Sequence, residues 1–316
     1  MELQEIDTLR ALLPAGRTVY SYFKDKYSLQ LLRYAVRRPT PVAELRRQPV
    51  ARLLEKPAVR EVLARCGGQL APAQLELACG HPSPQHYTLS LGVWGGERTH
   101  APQTSRPGAN LVLQLNFSQE HNQAFQRLVR PRPGGDPFNY YGHPALRDER
   151  ENRRYTLAWA RLDLDLEHGE ALIEELQSDW LRAAARVGES ARQLGEEQFR
   201  RRHQYRFQGG RQAVLQYCEQ VLPAHQGLWD EALLAAVLFF LREELGLARI
   251  WMHTPRSGVL LKNIRYGAPP TSLYSSLPQR FCFIPGASAP AFLTRNRRAA
   301  RYLRREPGLC LQQFCL

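Results

Sequence analysis

The sequence predicts a mixed α/β fold, α+β in character: a largely antiparallel sheet flanked by helices, with a helical subdomain ahead of it. Three observations carry the expectation. Leu111-Val112-Leu113-Gln114-Leu115-Asn116-Phe117 is a run of strong β character. Residues 156–165 and 171–178 are two more such runs, joined by Glu167-His168-Gly169-Glu170, a short polar turn of the kind that closes a β-hairpin. Around these runs, apolar residues recur at helical spacing. With 43% of its 316 residues apolar, the chain can bury one large core or two modest ones without disulfides or metals.

Taken in order, Leu3, Ile6, Leu9 and Leu13 predict a helix over 2–13, ended by Pro14-Ala15-Gly16. From Thr18 to Val36, aromatics alternate with charges and lead into Leu29, Leu31, Leu32 and Tyr34, which predicts a second helix packed on the first. Thr40-Pro41 supplies an N-cap and a first helical position. A partner helix over 57–65 stops at Gly67-Gly68. Residues 1–70 thus form a helical appendage of helix-turn-helix or winged-helix appearance, with an ordinary packing module as the alternative. Residues 71–107, rich in Pro, Gly and His, form a connector holding one strand over 87–94. The main α/β domain spans 108–316. In it Ser118 caps a helix over 119–129. A loop over 131–154 carries Phe138-Asn139-Tyr140-Tyr141-Gly142-His143, which either lines a pocket or pins the loop to the core. Helices follow over 181–203, 211–221 and 228–245, the last apolar nearly all round and so interior. Arg249–His253 reads as a buried strand. A loop or helix with Lys262, a turn at Pro269-Pro270, a strand at Phe281-Cys282-Phe283, a basic helix over 290–304 and a short strand complete the chain.

The net charge of +13 attracts polyanions, of which nucleic acid or a nucleotide is the commonest. The basic residues are nearly all arginine, a skew that a GC-rich genome also produces. The opening residues lack the basic start of a secretory signal, and the apolar run 232–241 is too short to cross a bilayer. A cytoplasmic chain without a membrane partner is expected. Its six cysteines are then free thiols. Cys66, Cys79, His81 and His86 match no standard zinc spacing, so no metal is assigned.

Strand alternation places Leu172, Glu174, Leu176 and Ser178 on one face and Ile173, Glu175, Gln177 and Asp179 on the other. If Leu162, Leu164, Leu166, Leu172 and Leu176 build the core, Glu174 is buried, its pKa rises, and it becomes an acid/base candidate. Glu175, Gln177 and Asp179 converge at the strand end, to orient a polar substrate or hold a divalent cation. Ser178 and Trp180 complete the substrate surface, Trp180 by stacking, with Tyr141 from the aromatic loop. The structural alternative pairs the glutamates with arginines and makes Asp179 a helix cap. His253 closes the neighbouring strand as a further catalytic candidate, and Arg256 and Lys262 can bind phosphate or carboxylate. Two basic patches suit nucleic acid: Arg200, Arg201, Arg202 and Arg206, interleaved with Tyr205 and Phe207, and the last helix with Arg295, Arg298, Arg301 and Arg305.

The order of these strands, with the string Glu174-Glu175-Leu176-Gln177-Ser178-Asp179-Trp180 at its centre, resembles a domain of large phage and prophage polyvalent proteins in which a strand carries Glu-Glu-x-Gln-Ser-Asp-Trp. The likeness covers roughly 107–285 and extends to Trp229, the strand over 248–254, Tyr274 and Leu277-Pro278. That domain has His-Gln after the Trp where this chain has Leu181-Arg182, and a long helical insert here precedes Trp229. The resemblance implies a phage-related setting and names no reaction. Three activities fit the residues. The first is a GNAT-like transferase with acetyl-CoA, a Glu base and Arg206-Phe207-Gln208-Gly209-Gly210-Arg211 as a loose phosphate loop. The second is a non-catalytic nucleic-acid-binding regulatory or phage-defence protein. The third is nucleotidyl or ADP-ribosyl transfer.

Overall fold

The structure is a computed structural model that describes residues 1–12, 18–80, 82–95, 103–146, 154–264, 270–286, 288–306 and 308–316, with Leu12 by its backbone alone. Its centre is an eight-stranded sheet. The strands are β1 (Thr18–Tyr22), β2 (Gln85–Gly95), β3 (Ala109–Phe117), β4 (Thr156–Asp165), β5 (Glu170–Gln177), β6 (Arg249–His253), β7 (Phe283–Gly286) and β8 (Leu311–Phe314). Their order across the sheet is β1-β2-β3-β4-β5-β6-β8-β7. Every neighbouring pair is antiparallel except β5 and β6, which run parallel over Glu170–Ile173 and Arg249–Met252. The expected mixed, largely antiparallel sheet with flanking helices is the fold observed.

The two sheet faces differ in chemistry because the strands alternate. One face carries Leu111, Leu113, Leu115 and Phe117 of β3 with Ala158, Ala160, Leu162 and Leu164 of β4, all in one large core. The helix Trp229–Phe239, apolar on nearly all sides, lies in that core as its sequence predicts. The other face presents Ser90, Asn110, Gln114, Asn116, Arg161, Asp163 and Glu174, all buried polar groups. A smaller apolar cluster of Leu172, Trp251, Leu261, Phe292, Leu293, Ala299 and Leu311 covers the β5–β6–β8 end of this polar face. The strip 103–106 crosses its middle. There Arg106 forms a two-pronged bond to Asp163 (2.7 and 2.9 Å), and the N-terminal amine lies 3.4 Å from the same carboxylate.

Several elements depart from expectation. Residues 18–22 are an edge strand rather than the start of a helix; the helix begins only at Lys26, after Asp25 turns the chain at φ 63°. Thr40 and Pro41 pair with Leu70 and Gln69 in a two-residue ladder, so the short helix there starts at Val42. Cys282, at φ 60°, ends a helical turn and delays the expected strand to Phe283. The basic C-terminal segment is two helices, because Asn296 stops Ala291–Arg295 and caps Arg297–Arg305 through the Ala299 amide. β1, within the expected appendage, and β2, within the expected connector, belong to the main sheet. Pro14-Ala15-Gly16, His81 and Pro269 lie outside the described residues. Among the described residues no helix is long and apolar enough to cross a membrane.

The apolar face encloses histidines. His121 stacks on Phe117 with ring centroids 3.5 Å apart and meets Tyr217 Oη at 3.0 Å, while His225 meets Tyr87 Oη at 3.1 Å. Burial lowers both, His225 to about 4. A histidine depressed when folded lends stability above its unfolded pKa and loses it as pH falls toward the folded value. His225 alone then removes about 3 kcal/mol between pH 6.5 and 4. Urea titrations at pH 7, 6 and 5 are expected to show falling stability, with a shallower fall in His225→Gln. Equal stability across that range contradicts the assignment.

Candidate active site

The string at the end of β5 contains an irregularity that alternation does not anticipate. Arg161 pairs with Glu175 and Leu162 with Ile173, so Glu174 is the extra residue of a β-bulge. The bulge shifts the pattern by one: Ile173 and Leu176 both reach the large core, while Leu172 lies in the smaller cluster on the opposite face. Glu174 and Glu175 therefore project together onto the polar face, where their partners lie.

Glu174 is fully buried. Its Oε1 accepts from the Ser105 amide (2.9 Å), and its Oε2 accepts from Ser105 Oγ (2.9 Å) and His253 Nε2 (3.0 Å). His253 Nδ1 lies 3.2 Å from Ser257 Oγ. Glu175 is bound by Arg161, and its Oε2 is 3.6 Å from Lys262 Nζ, which also donates to the Glu174 carbonyl at 2.9 Å. Two carboxylates thus face two cations around a histidine that burial holds below its usual pKa, an arrangement without net charge. Against the upward push of burial, the hydrogen bond from His253 and the charges of Lys262 and Arg161 lower Glu174 to about 2. The expectation that burial raises Glu174 into a proton-exchanging range is overturned: its bonds and cationic neighbours outweigh desolvation. Glu175 also titrates low, because Lys262 and Arg161 outweigh its burial.

The accessible chemistry lies one turn further along. Against its own burial, hydrogen bonds from His143, Trp159 and Gln177 hold Asp179 below the usual carboxylate range. Asp179 Oδ2 is 2.7 Å from His143 Nδ1 and 3.2 Å from Trp159 Nε1, and Oδ1 is 2.7 Å from Gln177 Nε2. An ionised carboxylate only accepts, so His143 Nδ1 carries a proton, and Nε2 has no protein partner among the described residues. Gln177 Nε2, also 2.9 Å from His143 Nδ1, directs a hydrogen to Asp179.

His143 lines a pocket of about 730 Å³ together with Arg10, Gly92, Trp94, Gln114 and Tyr141, among others. Trp94 and Trp159 lie nearly parallel on its sheet side, centroids 6.4 Å apart, and His143 meets both edge-on. The pocket loop is held down by Gln114 Nε2, which donates to the Pro144 carbonyl (2.7 Å), and by the Leu146 amide, which donates to Thr156 Oγ1 (2.8 Å). Arg161 stacks on Trp94 at 4.8 Å, so Glu175 supports the pocket wall through Arg161.

The string reads as a frame around this pocket. Glu174 fixes the strip with Ser105, Glu175 fixes Arg161, Gln177 fixes Asp179, and Asp179 orients His143. Ser178 donates to the Leu157 carbonyl (2.6 Å) and caps the helix Asp179–Gln193, so it offers nothing to a substrate. Trp180 is likewise not a stacking surface: it is fully buried and bonded to Tyr217 Oη at 2.7 Å. Glu175 turns to Arg161 and Lys262, away from Asp179, so the expected three-residue cation site does not assemble. Among the described residues no group of three potential ligands can hold a metal. His253 and Lys262 are sealed in the buried cluster, and Arg256 is exposed and paired with Glu306. Tyr141 is exposed and lines the pocket, as the loop's composition suggests.

The segment 206–211 does not form a phosphate loop. The Gln208 and Gly209 amides donate to the Arg130 and Val129 carbonyls (both 2.8 Å), and the Arg211 amide donates to Glu196. A Cβ on Gly209 meets the Leu128 and Val129 carbonyl oxygens at 2.6 Å. Gly209→Ala is expected to cost about 1–3 kcal/mol in a urea melt, and an unchanged midpoint argues against this packing. The patch of Arg200, Arg201 and Arg202 is exposed, with Arg200 paired to Glu196, while Arg206 donates to the Pro137 carbonyl. Arg298 reaches the Thr104, Ser105 and Leu261 carbonyls, whereas Arg301 is exposed.

Sequence reasoning did not single out His143. Its only local signal was the aromatic loop that contains it, because its partner stands 36 residues away. The chain matches no protein-family model, no curated protein and no solved structure.

Proposed function

We propose that the chain is a cytoplasmic, phage-related enzyme in which His143, oriented by Asp179, acts as general base on a nucleotide-class substrate held in the pocket beside Trp94. The observation that carries this is the 2.7 Å contact between His143 Nδ1 and Asp179 at the pocket wall. A carboxylate fixes the tautomer, and the opposite nitrogen takes a proton from an incoming hydroxyl, amine or water. The described lining carries no serine, threonine or cysteine, so the nucleophile comes from the substrate or from water, and the reaction is a transfer or a hydrolysis. The pocket wall offers the indole of Trp94 and the exposed ring of Tyr141 to a planar base, and Arg10 to an anionic group.

Acyl transfer from acetyl-CoA, the GNAT-like reading, is favoured by one feature: the single parallel step, where β5 and β6 stop pairing beyond Ile173 and Met252. That opening holds the Lys262 ammonium, bonded to the Glu174 carbonyl and 5.7 Å from the Tyr274 ring centroid, which leaves less room for a cofactor arm there. The nucleotide reading is therefore preferred.

A thermal-shift panel of AMP, GMP, CMP, UMP and acetyl-CoA discriminates the two. A nucleoside monophosphate is expected to raise Tm in the native chain, with the rise lost in Trp94→Ala. A rise with acetyl-CoA alone, unaffected by that substitution, contradicts the proposal.

A further inference from the structure

The last long helix, Arg297–Arg305, is amphipathic in an unusual way. Ala299, Tyr302 and Leu303 pack into the smaller cluster on the polar sheet face. The outward side presents Arg297, Arg301, Arg304 and Arg305, all exposed and with no acidic partner among the described residues. Several other surface arginines behave differently: Arg192, Arg200, Arg256 and Arg295 each hold a carboxylate. Four unneutralised guanidinium groups on one short helix make a surface that repels itself unless an anion covers it.

The stripe and the pocket share one side of the molecule. The helix rests on Leu172, Trp251 and Leu311 of β5, β6 and β8, while the pocket lies on β2 and β3 through Gly92, Trp94 and Gln114. All of these side chains belong to the polar sheet face. With neighbouring strands about 4.8 Å apart, the two lie about 15–20 Å from one another, a span of a few nucleotides. Arg298 joins them physically: its guanidinium holds the Thr104 and Ser105 carbonyls of the strip between pocket and helix.

We infer that this face binds single-stranded nucleic acid, with the backbone along the Arg297–Arg301–Arg304–Arg305 stripe and one base in the Trp94 pocket. The inference rests on the nucleotide reading of the pocket and extends it from a mononucleotide to a strand. A duplex fits less well, because a stacked and paired base cannot enter the Trp94 pocket without being extruded. The second arginine patch, Arg200–Arg202, serves as an internal comparison: its helix packs through Phe199 into the large core on the opposite face of the sheet.

The test is fluorescence anisotropy of a labelled 12-nucleotide oligo-dT, and of a duplex of equal length, titrated with the full chain at several salt concentrations. The variants are Arg301→Ala/Arg304→Ala/Arg305→Ala, Arg200→Ala/Arg201→Ala and Trp94→Ala, with UMP binding measured in parallel. Binding of the single strand is expected to exceed that of the duplex. The triple substitution should weaken it at least about tenfold and lower the salt slope by about 2 while leaving UMP binding intact. Trp94→Ala should weaken both ligands, and the Arg200 variant neither. If the triple variant keeps its affinity and slope, if the duplex binds as well, or if the Arg200 variant loses as much, the strand proposal is overturned. UMP binding that survives any of these results leaves the pocket reading standing. Strand binding that ignores Trp94→Ala, together with no UMP binding, overturns both.

Discussion

Replacing Glu174 by glutamine is expected to destabilise the fold by about 3–5 kcal/mol, because it leaves the cations of a buried, balanced cluster facing one carboxylate. Arg161 and Lys262 are almost wholly buried and have no water to turn to. The glutamine amide also presents donors toward Ser105 and His253, which already donate to that position. A catalytic Glu174 predicts the opposite pattern, loss of turnover with the fold intact. Urea denaturation at pH 7 separates them: a midpoint within error of the native chain removes the structural role assigned to Glu174. The low pKa of Glu174 adds a pH signature with the same sign. Stability from a depressed carboxylate is complete above its unfolded pKa and disappears as pH falls from there toward about 2.

The second large effect concerns turnover. Once the ligand panel identifies a nucleotide that is consumed, His143→Gln and Asp179→Asn are each expected to slow the reaction by about 10²–10⁴-fold. The two act differently. His143→Gln removes the base, whereas Asp179→Asn removes the acceptor that keeps the proton on Nδ1 and allows the tautomer with its lone pair turned inward. The double substitution should therefore slow the reaction no more than the worse single one, because the pair acts as a unit. Multiplicative losses in the double variant contradict a dyad. Gln177→Ala, which removes one of the bonds to Asp179, should fall between native and Asp179→Asn.

Much of the fold is visible in residue order. The hairpin of β4 and β5 follows from two apolar runs and a glycine turn, with Gly169 at φ 64° as such a turn requires. The interior helix Trp229–Phe239 follows from its nearly unbroken apolar composition, and Ser118 caps its helix as expected. What escapes is non-local. Val19, Tyr20, Ser21 and Tyr22 form a strand because β2 lies beside them, while the leucines that follow pull the local reading toward helix. The bulge at Glu174 is set by pairing with β4, and no neighbouring residue announces it. Strict alternation then separates Glu174 from Glu175, when both face the same polar layer.

The site shows the same division. The polar density of the string 174–180 points to it from sequence alone, and in the structure its side chains frame the pocket, with Asp179 the member bonded to the pocket histidine. Burial alone suggested a raised pKa for Glu174. The outcome depends on His253, 79 residues distant, with Lys262 and Arg161 nearby, which reverse the sign. Asp179 is the member that reaches a pocket, through a histidine that only tertiary structure could pair with it.

The most direct measurement is a long-range ¹H–¹⁵N spectrum of the imidazole rings, assigned with His143→Gln and recorded with and without UMP or AMP. The account predicts that His143 sits in the Nδ1–H tautomer and that nucleotide moves its Nε2 resonance while those of His121, His225 and His253 stay in place. A His143 with its proton on Nε2, or ring signals that ignore both nucleotides, contradicts it.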